Sequence, residues 1–485
     1  MIRSKLFSVR CCQALRQLSS KIYPNVLACI GDTPLVRMDN LAKHEGIDCQ
    51  LLAKCEFLNP SGSNKDRSAV AALEKAISAG KLGPGTIVVS PTTGNNGVSV
   101  AMACAVKGYR CILVMPDKLG PEKANVMTCL GVHVVRAPSV KDEQSPESYR
   151  NVAKRLAAKI RDAYLLDQYH TEESAAAHYD TTGQEILDAC EGKLDAILIG
   201  TDTGATISGI GKKLKEHDSN IKVIAVHTEG SFMDMDSPPT GDTVIIEGGI
   251  GHTFIPYTLD KSVIDRWIKI TNHDMFQTAR LMMRQEGILC GAGSGAVVAA
   301  ALQIAKAYGP QERIVTLLND GVRNYLTQFM ENEWLKSQGW PVQDFTESML
   351  PKRPINIFDW PSVVHIEHNA TVSAALAKFK HKVRPSDYLL VTNEKGFVLG
   401  VISKLHLEHQ SKDGKISDLT LGTYATLPHG ESSRQAGPKL RDNSVVLVLK
   451  KGVASTKRPN VSQVEATVSS VGLATQVFEQ DYGED

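Results

Sequence analysis

One lysine of this 485-residue chain stands in a setting suited to covalent chemistry. Lys65 follows a stretch of turn-forming residues, 59–64 (Asn-Pro-Ser-Gly-Ser-Asn), and directly precedes a segment whose apolar pattern predicts a helix over 67–78. An amine held where a loop meets a helix start can attack a carbonyl carbon and form a Schiff base. A loop lysine with an ion-pair partner would look the same, so this segment alone leaves both interpretations open.

Two further segments read as a strand, a polar glycine-containing turn and a helix start, an arrangement that presents backbone N–H groups to an anion. In the first, a strand over 86–90 leads into loop 91–97, whose side-chain donors are Thr92, Thr93, Asn95 and Asn96. In the second, a strand over 194–199 leads into loop 200–206, which is rich in threonine and glycine. A carboxylate or a phosphate would fit either loop. Each loop alone is also what an ordinary βα turn looks like.

Together these segments resemble the cystathionine β-synthase and cysteine synthase family of fold-type II pyridoxal-phosphate enzymes. Further spaced matches run from residue 30 to about residue 340, among them IGDTPLV (30–36), LLAKCE (51–56), GYRCILVMP (108–116), HYDTT (178–182) and VRNY (322–325). The resemblance implies an α/β fold with two parallel-sheet lobes, and the cofactor pyridoxal 5′-phosphate in the cleft between them. The residue pattern itself also predicts an α/β fold, since strand and helix patterns alternate from about residue 30 to 330. Examples are the strands predicted over 112–115, 132–135, 221–226 and 313–318.

The resemblance implies a role for each matching position. Lys65 matches the Schiff-base lysine, which also moves the α-proton of the substrate, and Asn95 matches the residue that hydrogen-bonds the phenolic oxygen of the cofactor. The loop that grips the amino-acid carboxylate is matched by Thr92, Thr93, Asn96 and Gly97. The loop that holds the cofactor phosphate is matched by Gly200, Thr201, Thr203, Gly204 and Thr206. The segment that contacts the pyridine nitrogen is matched by 290–295, where the nearest hydroxyl is that of Ser294.

The chain departs from the family pattern at several of these places. Asp202 and Ala205 replace glycines of the phosphate loop, Gly293 stands where the family has serine, and His252-Thr253 stands where Tyr-Asp is usual. Two unit charges of one sign ~4 Å apart cost on the order of 4 kcal/mol at an effective dielectric of about 20. The sequence therefore predicts that Asp202 weakens phosphate binding if its carboxylate faces the phosphate.

The activity that the resemblance implies is replacement of the β-hydroxyl of L-serine by homocysteine to give cystathionine, a transsulfuration step of cysteine biosynthesis. One alternative is a cysteine synthase, which uses sulfide in the same chemistry. A second alternative, favoured by the departures at the cofactor loops, is a catalytically weak or inactive paralogue with a regulatory or binding role. The expected partners are small-molecule amino-acid and thiol substrates, and the expected assembly is a homodimer.

Composition narrows the function classes. The net charge is +1, and the chain has 42% hydrophobic and 22% charged residues, as in ordinary globular proteins, so nothing indicates a nucleic-acid surface. No run of 18 apolar residues predicts a membrane span. The ten cysteines include no Cys-x-x-Cys pair and no cluster with the spacing of a metal site, so we expect no metal.

Residues 1–25 form a basic extension without an acidic residue, since the first acidic residue of the chain is Asp32. Residues 1–21 have the composition of a mitochondrial transit peptide, and a basic cytosolic tail would look the same, so the location expected from the family is the cytoplasm. Some members of the family bind haem through a cysteine and a histidine of such an extension. Here Cys11 and Cys12 are present, but the first histidine is His44, so we do not expect haem.

Domain boundaries follow from the composition and the resemblance. The catalytic core is predicted over 26–345 and ends before the Pro-rich stretch 348–354. Residues 352–485 are predicted to form a smaller α+β regulatory-type region, in which 398–402 resembles the strand signature of the paired regulatory domain named after the family. A second copy is poorly legible, although 444–449 could supply one strand. The usual ribose-holding Asp motif is not evident, so we expect no tight binding of S-adenosylmethionine.

Overall fold

The structure, a computed structural model, describes residues 22–117, 119–140, 144–234, 249–340, 363–379, 388–431, 435–436, 439–440, 443–454 and 456–469. Contacts between residues divide the chain into two units, Met1–Pro341 and Val342–Asp485. The predicted extension up to residue 21 and the predicted boundary at 348–354 lie outside the described residues. Within the described ranges, no helix is both long enough and apolar enough to cross a membrane.

The first unit contains two sheets. Their strands are β1 Leu35–Arg37, β2 Gln50–Cys55, β3 Ile87–Pro91, β4 Arg110–Pro116, β5 His133–Ala137, β6 Ala163–Leu165, β7 Ala196–Gly200, β8 Lys222–Thr228, β9 Arg266–Ile270 and β10 Arg313–Leu318. The larger sheet has the order β1-β2-β10-β7-β8-β9, and the smaller sheet has the order β5-β4-β3-β6. Every neighbouring pair is parallel except β1 with β2.

Helices connect the parallel strands, as crossover connections require. They are α1 Asp39–Glu45, α2 Lys65–Ser78, α3 Asn95–Lys107, α4 Pro121–Cys129, α5 Tyr149–Lys159, α6 Glu173–Ala177, α7 Gln184–Ala189, α8 Ala205–His217, α9 Asn272–Glu286, α10 Ala292–Ala305 and α11 Asn332–Ser337. Single turns of 3-10 helix lie at Val26–Cys29, Glu56–Leu58, Lys261–Val263 and Val322–Tyr325. The predicted two-lobed parallel-sheet α/β fold is confirmed, and the four strands given as examples occur within two residues of their predicted bounds.

The inner strands of the two sheets are buried on both faces, as expected for parallel sheets, whereas the edge strands β1, β5 and β9 are partly exposed. In β3, Val88 packs into the core that includes Leu73 of α2, whereas its neighbour Val89 packs on the other face with Tyr149 of α5. This alternation is the two-residue period of a strand. Burial on both faces therefore fixes the register of β3 and the position of the loop that follows it.

A buried cluster of four charges fixes the start of α2. The guanidinium of Arg67 donates to Glu56 (Nε–Oε2 2.8 Å) and to Glu185 (Nη1–Oε1 2.6 Å), and Lys54 Nζ lies 2.5 Å from Glu185 Oε2. Burial alone would raise the pKa of the Glu185 carboxyl, but Arg67 and Lys54 lower it to about 2. Both carboxylates are therefore ionised at neutral pH, and the cluster ties α2 to β2 and α7.

The neighbouring residue Asp66 ties the preceding loop to α3. Its carboxylate accepts the backbone N–H of Ser61 (2.8 Å) and the hydroxyl of Ser99 (2.6 Å). Because Asp66 and Arg67 point to different neighbours, Lys65 is held from both sides of the α2 start.

A π-helix, His178–Gly183, joins α6 to α7. His178 is fully buried, with Nδ1 2.9 Å from Thr182 Oγ1 and Nε2 3.2 Å from Thr206 Oγ1 in the first turn of α8. Burial lowers the pKa of His178 to about 3. The π-helix thus presents a neutral imidazole to the start of α8.

The second unit contains two three-stranded sheets with the same arrangement. Its strands are β11 His365–Glu367, β12 Tyr388–Thr392, β13 Val398–Ser403, β14 Tyr424–Leu427, β15 Val445–Leu449 and β16 Val464–Ser469. Its described helices are α12 Val372–Lys378 and α13 Lys404–Glu408, with 3-10 turns at Ile416–Asp418 and Val461–Gln463. In each sheet the first two strands are parallel and the last two antiparallel. The two antiparallel pairs also share an irregularity at matching places, Val391/Thr392 and Val448/Leu449.

Replacing Arg67 by methionine should lower the free energy of unfolding by about 3–5 kcal/mol, because it leaves two buried carboxylates facing a single lysine. Urea unfolding followed by circular dichroism measures the loss. Arg37→Met is the matched control, since Arg37 pairs with Asp39 through side chains that are 70% and 65% exposed. Equal losses in the two variants would contradict a structural role for the cluster.

The pH dependence of stability should carry a contribution from His178. Its pKa is about 3 when folded and about 6.5 when unfolded, so the unfolded chain binds the proton more readily between these values. This contribution to the free energy of unfolding is complete above about pH 6.5 and is lost as the pH falls towards 3. The loss amounts to about 2 kcal/mol at about pH 5. His178→Gln should therefore lose less stability than the wild type between about pH 7.5 and about pH 5. The same pH dependence in both proteins would refute this assignment.

Candidate functional site

Six of the predicted site residues line one cleft between the two lobes of the first unit: Lys65, Asn95, Gly200, Thr203, Gly204 and Thr206. The starts of three helices meet there, those of α2, α3 and α8, together with the carboxyl ends of β7 and β10. Ligands of open α/β sheets bind at such carboxyl ends. The cleft is lined by Asn64, Lys65, Asn95, Gly200, Asp202, Thr203, Gly204, Thr206, Ile207, Gly249 and Asn319. Wider surface clefts beside Glu191 and Tyr257 contain none of the predicted site residues.

Lys65 is the first residue of α2 and is only 7% exposed. Its Nζ lies 2.7 Å from Oδ2 of Asp202, whose Oδ1 lies 2.6 Å from Nε2 of His252. The imidazole is close to the carboxylate but is not aligned with it for a hydrogen bond. Burial alone would raise the pKa of the Asp202 carboxyl, but Lys65 and His252 hold it well below its usual range. Asp202 is therefore a carboxylate, turned towards Lys65.

The loop from Gly200 to Thr206 is shaped by close contacts that require glycine. A Cβ on Gly204, which has φ +86°, would lie 2.5 Å from Leu259 Cβ, and a Cβ on Gly200 would lie 2.6 Å from Ile250 Cγ2. Thr206 Oγ1 accepts from Asn64 Nδ2 at 3.1 Å. The start of α8, a thirteen-residue helix, thus faces the cleft with Thr203 and Thr206 beside it.

Two of the predicted site residues direct their hydroxyls away from the cleft. Thr201 Oγ1 donates to the carbonyl of Val226 (2.9 Å) and holds β7 to β8. Ser294 Oγ donates to the carbonyl of Asp320 (3.2 Å) and is fully buried. Neither residue lines the cleft, so as placed here they support the loops around it.

The loop before α3 is held by Thr92, whose Oγ1 accepts the N–H groups of Gly94 (3.0 Å) and Gly97 (2.8 Å). A Cβ on Gly97 would lie 2.6 Å from Thr92 Cγ2, so the loop needs a glycine there. In the same loop Asn96 is buried and Thr93 half-buried. The fixed loop leaves the start of α3 facing the cleft.

Asn95 is oriented by Asp320, which no sequence motif marked, and by Asn324 of the matched segment 322–325. Its Nδ2 donates to Asp320 Oδ2 (2.8 Å), and its Oδ1 accepts from Asn324 Nδ2 (3.0 Å). Asp320 Oδ2 also accepts the hydroxyl proton of Tyr325 (2.7 Å). Burial raises the pKa of the Asp320 carboxyl, against the opposing effect of Lys123 and these donors. Asp320 lies 225 residues from Asn95, so no local pattern could have revealed the contact.

These residues fit a ligand with a phosphate and a reactive carbonyl, such as pyridoxal phosphate. The buried lysine amine suits the carbonyl, and the helix start with its two threonines suits the phosphate. The oriented amide suits a phenolic oxygen. Asn319 Oδ1 is buried in the cleft with no hydrogen-bond partner among the described residues, so an acceptor remains there for a ligand donor. The exception is the carboxylate of Asp202, which suits no part of an anionic ligand.

Comparison with known proteins agrees with this donor set. Residues 26–320 match the model of the pyridoxal-phosphate dependent enzyme family. Cystathionine β-synthase of Apis mellifera is 42% identical over 391 residues, which are 79% of this chain and 77% of the relative. The mouse enzyme of that name is 39% identical over 406 residues, 82% of this chain and 71% of the relative.

Other relatives match a smaller share of this chain. Cysteine synthase of Staphylococcus aureus is 36% identical over 312 residues, 64% of this chain and 97% of the relative. The crystal structure of a hydrogen sulfide-producing enzyme from Fusobacterium nucleatum has a TM-score of 0.59 and 31% identity, and the match covers 63% of this chain and all of that one. As the motifs predicted, the chain belongs to the family of pyridoxal-phosphate dependent enzymes.

Proposed function

We propose that this enzyme replaces the β-hydroxyl of L-serine with the thiol of homocysteine to give cystathionine. The observation that carries the proposal is the position of Lys65 Nζ, which lies in the cleft beside Asn95 and the start of α8. The relatives named cystathionine β-synthase match most of the chain and support the same reaction.

Bound pyridoxal phosphate supplies an electron sink that stabilises negative charge at the α-carbon of an amino acid. The chain supplies the remaining functions. In our proposal Lys65 holds the cofactor through Nζ and afterwards takes the α-proton of serine. Asn95, fixed by Asp320 and Asn324, would donate to the phenolic oxygen. Ser294, whose hydroxyl donates to the carbonyl of Asp320, would support the pyridine-facing segment.

The loops bind the charged groups of the cofactor and substrate. Thr203, Gly204 and Thr206 would hold the phosphate at the start of α8, with Gly200 and Thr201 shaping the loop. Thr92, Thr93, Asn96 and Gly97 would hold the carboxylate of serine at the start of α3. The 7% exposure of Lys65 keeps water from the reacting nitrogen.

A second candidate is a cysteine synthase, favoured by the 97% coverage of the Staphylococcus aureus relative. It differs only in the incoming thiol, so supplying homocysteine and sulfide in parallel and identifying the products by mass separates the two. The assembly that we propose is a homodimer. The location that we propose is the cytoplasm. The alternative is the mitochondrion, with residues 1–21 as the targeting leader.

Replacing Lys65 by alanine should abolish both the visible absorbance of the bound cofactor and the formation of cystathionine, because the variant has no amine at the α2 start. Absorbance spectra and product mass measure the two effects. Lys75→Ala is the matched control, since Lys75 is exposed on the same helix. A chromophore retained after loss of Lys65 would refute its assignment.

S-adenosylmethionine should change the activity of the full chain little, because residues 352–485 carry no evident ribose-holding Asp motif. Isothermal titration of the full chain measures binding, and a variant ending at Pro341, the limit of the first unit, is the control. The variant should also retain the cofactor. Saturable binding at micromolar concentration that disappears on truncation would contradict the expectation.

A further inference from the structure

Two departures from the family pattern, Asp202 and His252, are in direct contact, and Asp202 also contacts Lys65. Asp202 follows β7, and His252 lies 50 residues further along the chain. The carboxylate contacts Lys65 Nζ through one oxygen (2.7 Å) and the imidazole through the other (2.6 Å). Both side chains are almost buried, with 13% and 9% of their surface exposed.

Aromatic rings surround the imidazole of His252. Tyr169 lies edge-on to it with ring centroids 5.3 Å apart, and Phe254 lies 4.8 Å from it. Arg150 packs over both rings, with its guanidinium carbon 4.8 Å from the Tyr169 centroid and 4.5 Å from the Phe254 centroid. Charges in such surroundings are poorly screened by water, so the contacts of Asp202 are strong.

We propose that Asp202 and His252 form a counter-ion pair that competes with the cofactor carbonyl for Lys65 Nζ, and so controls how readily the enzyme loads its cofactor. The inference rests on the role proposed for Lys65. In this pair Asp202 and His252 are positioning residues. Asp202 acts on the reacting nitrogen, and His252 acts through Asp202.

The competition follows from the bonds that loading requires. The ammonium of Lys65 must give up a proton to solvent, and its freed lone pair then attacks the carbonyl carbon. A C=N bond forms and the carbonyl oxygen leaves as water. The nitrogen cannot do this while it stays paired with Asp202, so the pair must separate. After this separation His252 is the remaining contact of the Asp202 carboxylate. Without His252, the separation would leave a buried carboxylate unpaired, which costs free energy.

This explanation differs from repulsion between Asp202 and the cofactor phosphate. Repulsion would weaken the binding of pyridoxal phosphate and leave that of pyridoxal, which lacks the phosphate, unchanged. Competition for Lys65 weakens the binding of both aldehydes by the same factor. The observed contacts of Asp202 are with Lys65 and His252, which favours competition.

The test is a double-mutant cycle with Asp202→Asn, His252→Asn and the double variant, each titrated as full-length apoprotein with pyridoxal phosphate and with pyridoxal. The readout is the visible absorbance of the imine, with borohydride trapping and peptide mass to locate it on Lys65. Asp202→Asn should strengthen the binding of both aldehydes by about 10- to 100-fold. His252→Asn should weaken both when Asp202 is present and have no effect in the Asp202→Asn background.

Unchanged or weaker binding in Asp202→Asn, or a gain confined to pyridoxal phosphate, would overturn the inference. So would additive effects in the cycle. Asp202→Gly, which restores the family residue, replaces Asp202→Asn if circular dichroism shows that the latter is misfolded. The variant Lys65→Ala separates a failure of the proposed function from a failure of this inference. An imine that persists in it refutes the proposed function, whereas loss of the imine there together with no gain in Asp202→Asn refutes only the inference.

Discussion

The bidentate pairing of Arg67 with Glu56 and Glu185 is the constraint on which the site depends. Four charged side chains lie together with almost no exposure, and each has its opposite partner. Such a cluster gains little stability over an apolar core of the same volume, but it holds its members in one geometry, since any displacement leaves a buried charge unpaired. Arg67 lies two residues from Lys65, so the cluster fixes the helix turn from which the Lys65 amine projects.

The sequence predicted what short-range patterns encode. Turn-forming residues marked the start of α2, and apolar strands followed by glycine-containing turns marked the starts of α3 and α8, because backbone geometry at such junctions admits few residue types. It could not predict side-chain direction. Thr201 and Ser294 have suitable hydroxyls, but each meets a backbone carbonyl in a neighbouring element. Asp320 was missed because its function depends on a contact across 225 residues.

In the second unit the sequence also failed to predict a whole sheet, β14–β16. Residues 424–469 match the family signature poorly, yet they form three strands in the order and directions of β11–β13. Burial explains the difference. Alternate residues of β12 and β15, such as Leu390 and Leu447, pack into one shared apolar cluster, and this requires volume and hydrophobicity rather than a particular residue. Strand geometry is therefore retained when the residues of a signature are not.

Asp202 shows why a departure from a family pattern has to be judged by its contacts. Considered as a charge in a phosphate loop, it predicts repulsion of the ligand. In the structure its two oxygens contact two basic side chains, and the low pKa of the carboxyl follows from those contacts. Such a pair constrains both positions, because loss of His252 leaves the carboxylate with Lys65 alone, and loss of Asp202 leaves the imidazole among aromatic rings. The two departures therefore lie in one chain of contacts that ends at Lys65.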